Sequence, residues 1–508
     1  MDFSKLNKEQ IIAVEHQKGP LLVLSGAGTG KTRVLTSRFV YIVQNLKVNF
    51  NEIIAVTFTN KAANEIKERV NKELKSSIDS PWVGTFHSIF AKFLRKHSGL
   101  VNLKSNFTIL DVEDQKKLLK QVLDYCKIDK DVSEGIYHNE IQNLKDNKIF
   151  FYENKKITKF SALEKLDEIY SYYQKRLIEI NAIDFGDILL HSYYILIKHS
   201  DIQKTYKNFI KHILIDEFQD TNLIQYDLIK LILNSKKNLF CVGDDDQSIY
   251  AWRGANIDNI INFPKEFNSP VVRLTKNYRS NSSILEAAAS IISNNKNRLG
   301  KDLISFNKKI PEQKINLNSF YSQEEESLWI SDDISKKFQE NNSIGILVRL
   351  TAQMRSIEDK LIKFALPYEI IGGPRFFERK EIKDILAYLK LANSFQDDLS
   401  FERVINLPKR GIGDQSVKLI IDNAREEKIS FFDSLVSLSE ENKLPGSLIV
   451  KTKTFIDIIK KTSNLINKTN LEDIGIFIIE ESGYLQMLEN EKNKLRQIEN
   501  ESRIDNLK

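Results

Sequence analysis

The sequence predicts an α/β fold built on a parallel sheet with helices on both faces. Three observations carry this. Short apolar runs stand without polar alternation at 20–24 "PLLVL", 52–56 "EIIAV", 212–215 "HILI", 239–243 "LFCVG" and 271–274 "VVRL". Strands that are apolar on both faces belong to sheets covered on both sides. The first two runs lead directly into helical patterns; after the second, Ala63, Ile66, Val70 and Leu74 recur at helical spacing. A glycine-rich turn, "SGAGTGKT" at 25–32, joins the first run to its helix, which is the strand–turn–helix unit of parallel sheets.

Further along, the elements change character. Between roughly 105 and 195 the bare runs stop, and Leu163, Leu166, Tyr170, Tyr173 and Leu177 make one face of a long helix. Residues 106–192 therefore read as a strand-free helical insertion. The run "SIGILVRL" at 343–350 predicts a strand of a second α/β domain beginning near 281. From about 377 onward the pattern is mostly helical again. No tandem repeat, low-complexity linker or disordered tail is expected.

Composition sets outer limits. The chain has 508 residues, 41% hydrophobic and 28% charged, with a net charge of +6. That is an ordinary globular balance, with length for about three or four domains. The mild positive charge permits a polyanionic partner without establishing one. Two cysteines, Cys126 and Cys241, exclude a disulfide framework and any zinc-ligand spacing, and both are expected as reduced core thiols. The start "MDFSKLNKEQ" lacks the basic and apolar regions of a secretory signal, and no run is long enough to span a bilayer. The expected location is the cytoplasm.

The turn at 25–32 fits a phosphate-binding P-loop. Gly26, Gly28 and Gly30 let backbone N–H groups turn inward around phosphates. Lys31 can reach the β/γ-phosphates, and the Thr32 hydroxyl can take Mg²⁺. Ser25 stands where the general pattern has its first glycine. A second acid for the metal comes from "ILIDEFQD" at 213–220. Asp216 is placed to hold Mg²⁺ through water, and Glu217 to polarise an attacking water. Acids also favour helix starts for dipole reasons alone, but a P-loop in the same chain favours catalysis. The stretch "VGDDDQSIYAWRGA" at 242–255 adds a polar cluster suited to a metal or phosphate beside an aromatic–cationic cluster suited to a flat ligand.

With these residues the chain resembles superfamily-one DNA helicases of the UvrD/Rep/PcrA type over nearly its whole length. "LNKEQIIAV" (6–14), "VTFTNKAANEIKERV" (56–70), "GTFHS" (84–88), "IDEFQDT" (215–221), the 242–255 stretch and "LTKNYRS" (274–280) follow in the family's order, and "IGGPRFFERKEIKDILAYL" (371–389) and "INLPKRGIG" (405–413) resemble its later segments. The resemblance implies two P-loop, RecA-like parallel-sheet motor domains, each with a large helical insertion. These would be 1–105 and 193–280 for motor 1A, 106–192 for insertion 1B, 281–376 for the first part of motor 2A, and 377–508 for insertion 2B. ATP would sit between the motors and single-stranded DNA across them.

The resemblance also implies roles. Ser25, Gly26, Ala27, Gly28, Thr29, Gly30, Lys31, Thr32 and Arg33 would hold the nucleotide. Gln10 would read the adenine edge, Tyr278 would stack on the adenine, and Arg279 would contact the γ-phosphate as an arginine finger. Gln247 would sense that phosphate. Tyr250, Trp252 and Arg253, with Phe58, Asn60, His87 and Phe185, would meet DNA; an acid is usual in the family where Gly186 stands. "PKRGIGDQSVKLI" (408–420) resembles a helix–hairpin–helix turn, so Lys409, Arg410, Gly411 and Gly413 would face phosphates, although G-x-G is also a common interhelical turn.

The family's last two motifs, one of which donates a second arginine finger, do not occur. The second motor is therefore expected to be incomplete and insertion 2B to lack its C-terminal end. The function implied is an ATP-dependent 3′→5′ DNA helicase and single-strand translocase of repair or replication restart, using ATP and Mg²⁺ on single strands and single/double-strand junctions. One alternative is a truncated module that binds ATP and single-stranded DNA without unwinding. A small-molecule P-loop kinase would leave Gln10, the aromatic cluster and "KNYRS" unexplained.

Overall fold

All five bare runs form strands, and all five join one parallel sheet. The computed structural model describes residues 6–75, 82–128, 133–151, 163–306, 314–338, 343–350, 352–371, 379–466, 468–490, 500, 503–504 and 506–507. The chain divides into two compact units, Met1–Ile315 and Asn316–Lys508. The strands in chain order are β1 (Leu21–Ser25), β2 (Ile53–Thr57), β3 (Val83–Thr85), β4 (Thr108–Ile109), β5 (Ala182–Ile183), β6 (His212–Ile215), β7 (Leu239–Gly243), β8 (Val271–Leu274), β9 (Lys276–Asn277) and β10 (Ile304–Ser305).

The main sheet runs β3-β2-β6-β7-β1-β8. Leu21 lies opposite Phe240 on one side of β1, and Leu22 opposite Val271 on the other. Side chains alternate between two cores. Leu22, Leu24, Ile54, Val56, Ile213 and Ile215 pack with Phe86, Phe90, Leu189 and Phe218. Leu21, Val23, Ile53, Ala55 and Leu214 pack with Val34, Phe39, Ile66 and Val70. Period-two alternation between two dry faces is why the strands read as unbroken apolar runs. Because the strands are parallel, the C-terminal ends of β6, β7 and β1, neighbours in that order, share one edge of the sheet.

Three expectations need correction. The stretch 105–195 is not strand-free: β4 pairs in parallel with β5, a ladder too short to show as an apolar run. Leu166, Tyr170, Tyr173 and Leu177 are buried on the helix Leu166–Glu179, but Leu163 precedes that helix. The run 343–350 forms no strand. A strand exists only through ladder partners, and among the described residues none pairs with it; Leu347 is 99% exposed.

The described part of the second unit is helical, from Gln323–Lys337 to Tyr484–Glu489. Its core gathers Tyr388, Leu391, Phe401, Phe432, Leu435, Phe455 and Ile459. Cys126 and Cys241 are buried free thiols, and burial pushes the Cys241 thiol pKa well up. Among the described residues no helix is long and apolar enough to cross a membrane.

Candidate nucleotide and single-strand site

The phosphate loop leaves β1 and turns on two left-handed glycines, Gly28 at φ 71° and Gly30 at φ 91°, a conformation that costs a side chain dearly. The Thr29 hydroxyl donates to the Gly26 carbonyl at 2.9 Å and shares a 2.6 Å hydrogen bond with Ser25. Ser25 therefore serves as a buried staple inside the loop. Lys31 opens the helix Lys31–Gln44, followed by Thr32 and an exposed Arg33. The Lys31 Nζ lies 2.8 Å from Glu217 Oε2.

Glu217 follows β6 in the left-handed region, at φ 49°, a conformation uncommon outside glycine. Asp216 is buried beside it. Burial, then the neighbouring Glu217 charge, push the Asp216 pKa up to about 7. Gln219 Nε2 donates to Glu217 Oε2 at 2.9 Å, and its Oε1 accepts from the Asp244 backbone N–H at 2.8 Å.

The segment after β8 closes over the loop. Buried Asn277 donates from Nδ2 to the Ala27 carbonyl at 2.6 Å, and the Tyr278 N–H donates to the Gly28 carbonyl at 2.9 Å. Asn277 Oδ1 accepts the backbone N–H of Arg279 at 2.9 Å, leaving the Arg279 side chain exposed. Tyr278 Oη accepts from Asn7 Nδ2 at 2.8 Å. Gln10 is buried; its Nε2 donates to the Thr29 carbonyl at 2.9 Å, and its Oε1 accepts the Asn7 N–H at 3.0 Å. The amide of Gln10 thus ties the first helix to the phosphate loop, with one N–H and one lone pair beyond these two bonds.

The loop after β7 departs from its sequence reading. The carboxylates of Asp244, Asp245 and Asp246 converge, but the cation among them belongs to the chain. Lys301 Nζ lies 2.5 Å from Asp244, 2.8 Å from Asp245 and 2.8 Å from Asp246, and Arg298 adds a 2.7 Å pair with Asp246. The cluster expected to suit a metal or phosphate is satisfied by an ammonium group instead. Gln247 Nε2 donates to Asp244 Oδ2. Beyond it, Phe58 and Tyr250 stack with centroids 4.8 Å apart, and Tyr250 meets Trp252 at 6.4 Å. Trp252 is 70% exposed. Asn60 begins the helix after Phe58 and is exposed as well.

Residues 6–268 match the UvrD/REP helicase N-terminal domain, and residues 272–508 match the UvrD-like helicase C-terminal domain. The chain belongs to the UvrD/REP helicase family. It is 41% identical over 507 residues to a probable DNA helicase II homolog of Rickettsia conorii, across 96% of this chain and 76% of that protein. It is 36% identical over 511 residues to the ATP-dependent DNA helicase PcrA of Staphylococcus aureus, across 99% of this chain and 68% of that protein.

In this UvrD-family helicase the remaining expected positions divide. Phe185 is exposed at the start of its helix and meets His87 edge-on at 5.8 Å. Burial pushes the His87 pKa down to about 4, so the ring is neutral at pH 7. Beneath Phe185, Lys145 is buried between Asp184 at 2.5 Å and Asp187 at 2.7 Å. At Gly186, an added Cβ would meet Gln142 Oε1 at 2.6 Å and Lys145 Cδ at 2.9 Å. The space of the family's usual acid is thus taken by Lys145 and Gln142. The Arg253 side chain lies outside the described residues.

In the second unit Gly411 has φ +72° and Gly413 precedes the helix Asp414–Glu427. Lys409 is exposed, and a cavity of about 330 Å³ lies among Lys409, Arg410, Gly411, Lys451 and Thr454. Arg410 is turned inward. It donates to the Val404 carbonyl at 2.9 Å and Tyr388 Oη at 2.5 Å, over the Phe455 ring. Sequence reasoning missed Asn7, Gln219, Asn277 and Lys301. The first three sit inside or beside quoted motifs and could have been singled out there. Lys301 carries no local signal.

Proposed function

We propose that this chain is a motor that hydrolyses ATP to move 3′→5′ along single-stranded DNA and to unwind duplex at single/double-strand junctions, in DNA repair or replication restart in the cytoplasm. One observation carries the coupling. β6, β7 and β1 are adjacent and parallel, so Glu217, the aromatic loop and the phosphate loop emerge on one edge, where open α/β sheets bind ligands. The direction, the pathway and the four-part domain plan (1–105 with 193–280, 106–192, 281–376, 377–508) rest on the family likeness.

In this reading the loop N–H groups and Lys31 hold the phosphates, with Ala27 and Arg33 alongside. Tyr278 stacks on the adenine, Gln10 offers its remaining amide valences to the base edge, and Arg279 meets the γ-phosphate. Glu217, released from Lys31, accepts the proton of the attacking water. Mg²⁺ fits the donor set: the Thr32 hydroxyl and Asp216 supply hard oxygens, and Asp216 Oδ1 has the Glu217 N–H at 3.1 Å. When bound, the ion would neutralise phosphate charge. Phe58, Tyr250, Trp252 and Phe185 give stacking surfaces, with Asn60 and His87 beside them; a DNA contact for Arg253 rests on the family likeness alone. Lys409 and the N–H groups at Gly411 and Gly413 face backbone phosphate, while Arg410 shapes their turn.

The test pairs ATP turnover, with and without single-stranded DNA, with strand displacement from 3′-tailed and 5′-tailed duplexes. Stimulated turnover and displacement from the 3′-tailed duplex alone are expected. Displacement from the 5′-tailed duplex alone would overturn the direction. Stimulation without displacement would leave an ATP- and DNA-binding module.

A further inference from the structure

Glu217 and the aromatic loop are joined by a single side chain. Gln219 is 1% exposed. Its Nε2 donates to Glu217 Oε2 at 2.9 Å and to Asp220 Oδ2 at 3.3 Å, and its Oε1 accepts the Asp244 N–H at 2.8 Å. Asp244 in turn takes the Gln247 amide and the Lys301 ammonium. Room for the amide comes from Gly243, where an added Cβ would lie 3.0 Å from Gln219 Oε1 and 2.8 Å from Ile260 Cδ1. Glutamine suits the position chemically. It alone among side chains of this length both donates and accepts without charge; Glu would lose the donors and set a second carboxylate against Glu217.

The same oxygen, Glu217 Oε2, also takes Lys31 Nζ at 2.8 Å. Lys31 and Gln219 therefore share one acceptor. A γ-phosphate that draws Lys31 away leaves Oε2 to Gln219 and to water, and the amide re-aims. Its other end is fixed to the first residue of the loop that carries Tyr250 and Trp252. We infer that Gln219 is the positioning residue through which occupancy at Lys31 and Glu217 sets the 244–254 loop, and through which DNA on that loop sets Glu217. The inference rests on the proposed function, since it takes the aromatic loop to be the DNA grip.

Coupling of this kind is reciprocal and is commonly worth about 5–150-fold in affinity. The experiment compares the full chain with Gln219→Met, which removes both ends of the link, and Gln219→Glu, which keeps the acceptor for Asp244 but replaces the donor to Glu217 and Asp220 with a carboxylate. Three quantities are read: single-stranded DNA affinity with and without a non-hydrolysable ATP analogue, stimulation of turnover by DNA, and KM for ATP. In both variants the analogue-induced change in DNA affinity should collapse toward onefold and stimulation should fall about tenfold or more, with KM for ATP within about threefold. Wild-type coupling in either folded variant overturns the relay. So does an equal fall of basal and stimulated turnover, which would mark general damage to the site. Wild-type protein without any coupling overturns both the relay and the proposed function, so the two failures are distinguishable. If Gln219→Met does not fold, Gln219→Glu alone decides.

Discussion

Trp252 and His212 show opposite uses of a ring. Trp252 holds its indole largely in solvent, at the end of a row begun by Phe58 and Tyr250. Truncating it to alanine should weaken single-stranded DNA binding by about 1–3 kcal/mol, the scale of one lost stack. The loss should be alike on dT and dC homopolymers, with the salt slope unchanged because no phosphate contact is removed. Fluorescence titration at two salt concentrations checks this; an unchanged affinity would return the indole to a packing role. His212 opens β6 and is buried, and burial, followed by Arg38 and Lys236, pushes its pKa down to about 4. The folded value lies below the unfolded one, so the unfolded chain gains a proton first as pH falls below about 6.5. The histidine's contribution then declines by about 1.4 kcal/mol per pH unit until about pH 4. Urea midpoints of wild type and His212→Asn, followed from pH 7 to 4, should converge or cross by up to about 3 kcal/mol; parallel curves would exclude the effect.

Among elements, the helices around Phe185 stand on a buried ion cluster. Lys145 lies between Asp184 and Asp187 with no exposed surface on any of the three side chains. Tyr173 and Gln174 add hydrogen bonds at 3.1 and 3.0 Å. Lys145→Met would leave two carboxylates without a cation, and breaking such a set from one side costs about 3–5 kcal/mol. Denaturant unfolding should show that loss, and adding Asp184→Asn and Asp187→Asn should recover part of it. A single variant as stable as wild type would contradict the assignment. The elements were legible to unequal degrees, for physical reasons. β1, β2, β6 and β7 announced themselves because both faces are dry. β3, three residues with a glycine, carried too little pattern to detect. The run 343–350 has the apolarity of a strand, but pairing is supplied by partners, which no local pattern encodes. At the candidate site, Lys31, Asp216 and Glu217 could be singled out because each sits in a short local motif, and the fold brings Lys31 within 2.8 Å of Glu217. Lys301 was not, because its three aspartates are neighbours only in space.

For the whole molecule, the two units have separate interiors. Every residue of the two sheet-flanking cores lies within Met1–Ile315, and every residue of the helical core lies beyond Asn316. Domains with their own cores unfold as their own cooperative units. Calorimetry should resolve two heat-absorbing transitions, of which the one belonging to the sheet unit should shift upward with ATP, since ligand binding stabilises only the state that holds it. A single transition with matching calorimetric and van't Hoff enthalpies would contradict this.

The sheet order has a further consequence, in time rather than in space. β1 pairs with β7 and β8, so Leu21 must find Phe240, and Leu22 must find Val271. At about 5–20 residues per second of synthesis, the strand bearing the phosphate loop leaves the ribosome roughly ten to forty seconds before either neighbour exists. Through that interval five consecutive residues that end up fully buried have no ladder to join and two open edges. Such a segment is a template for wrong pairing. The strand that carries the glycine-rich loop is thus the part most in need of shelter while the chain is being born, and the rate of translation between β1 and β8 sets how long that shelter must last.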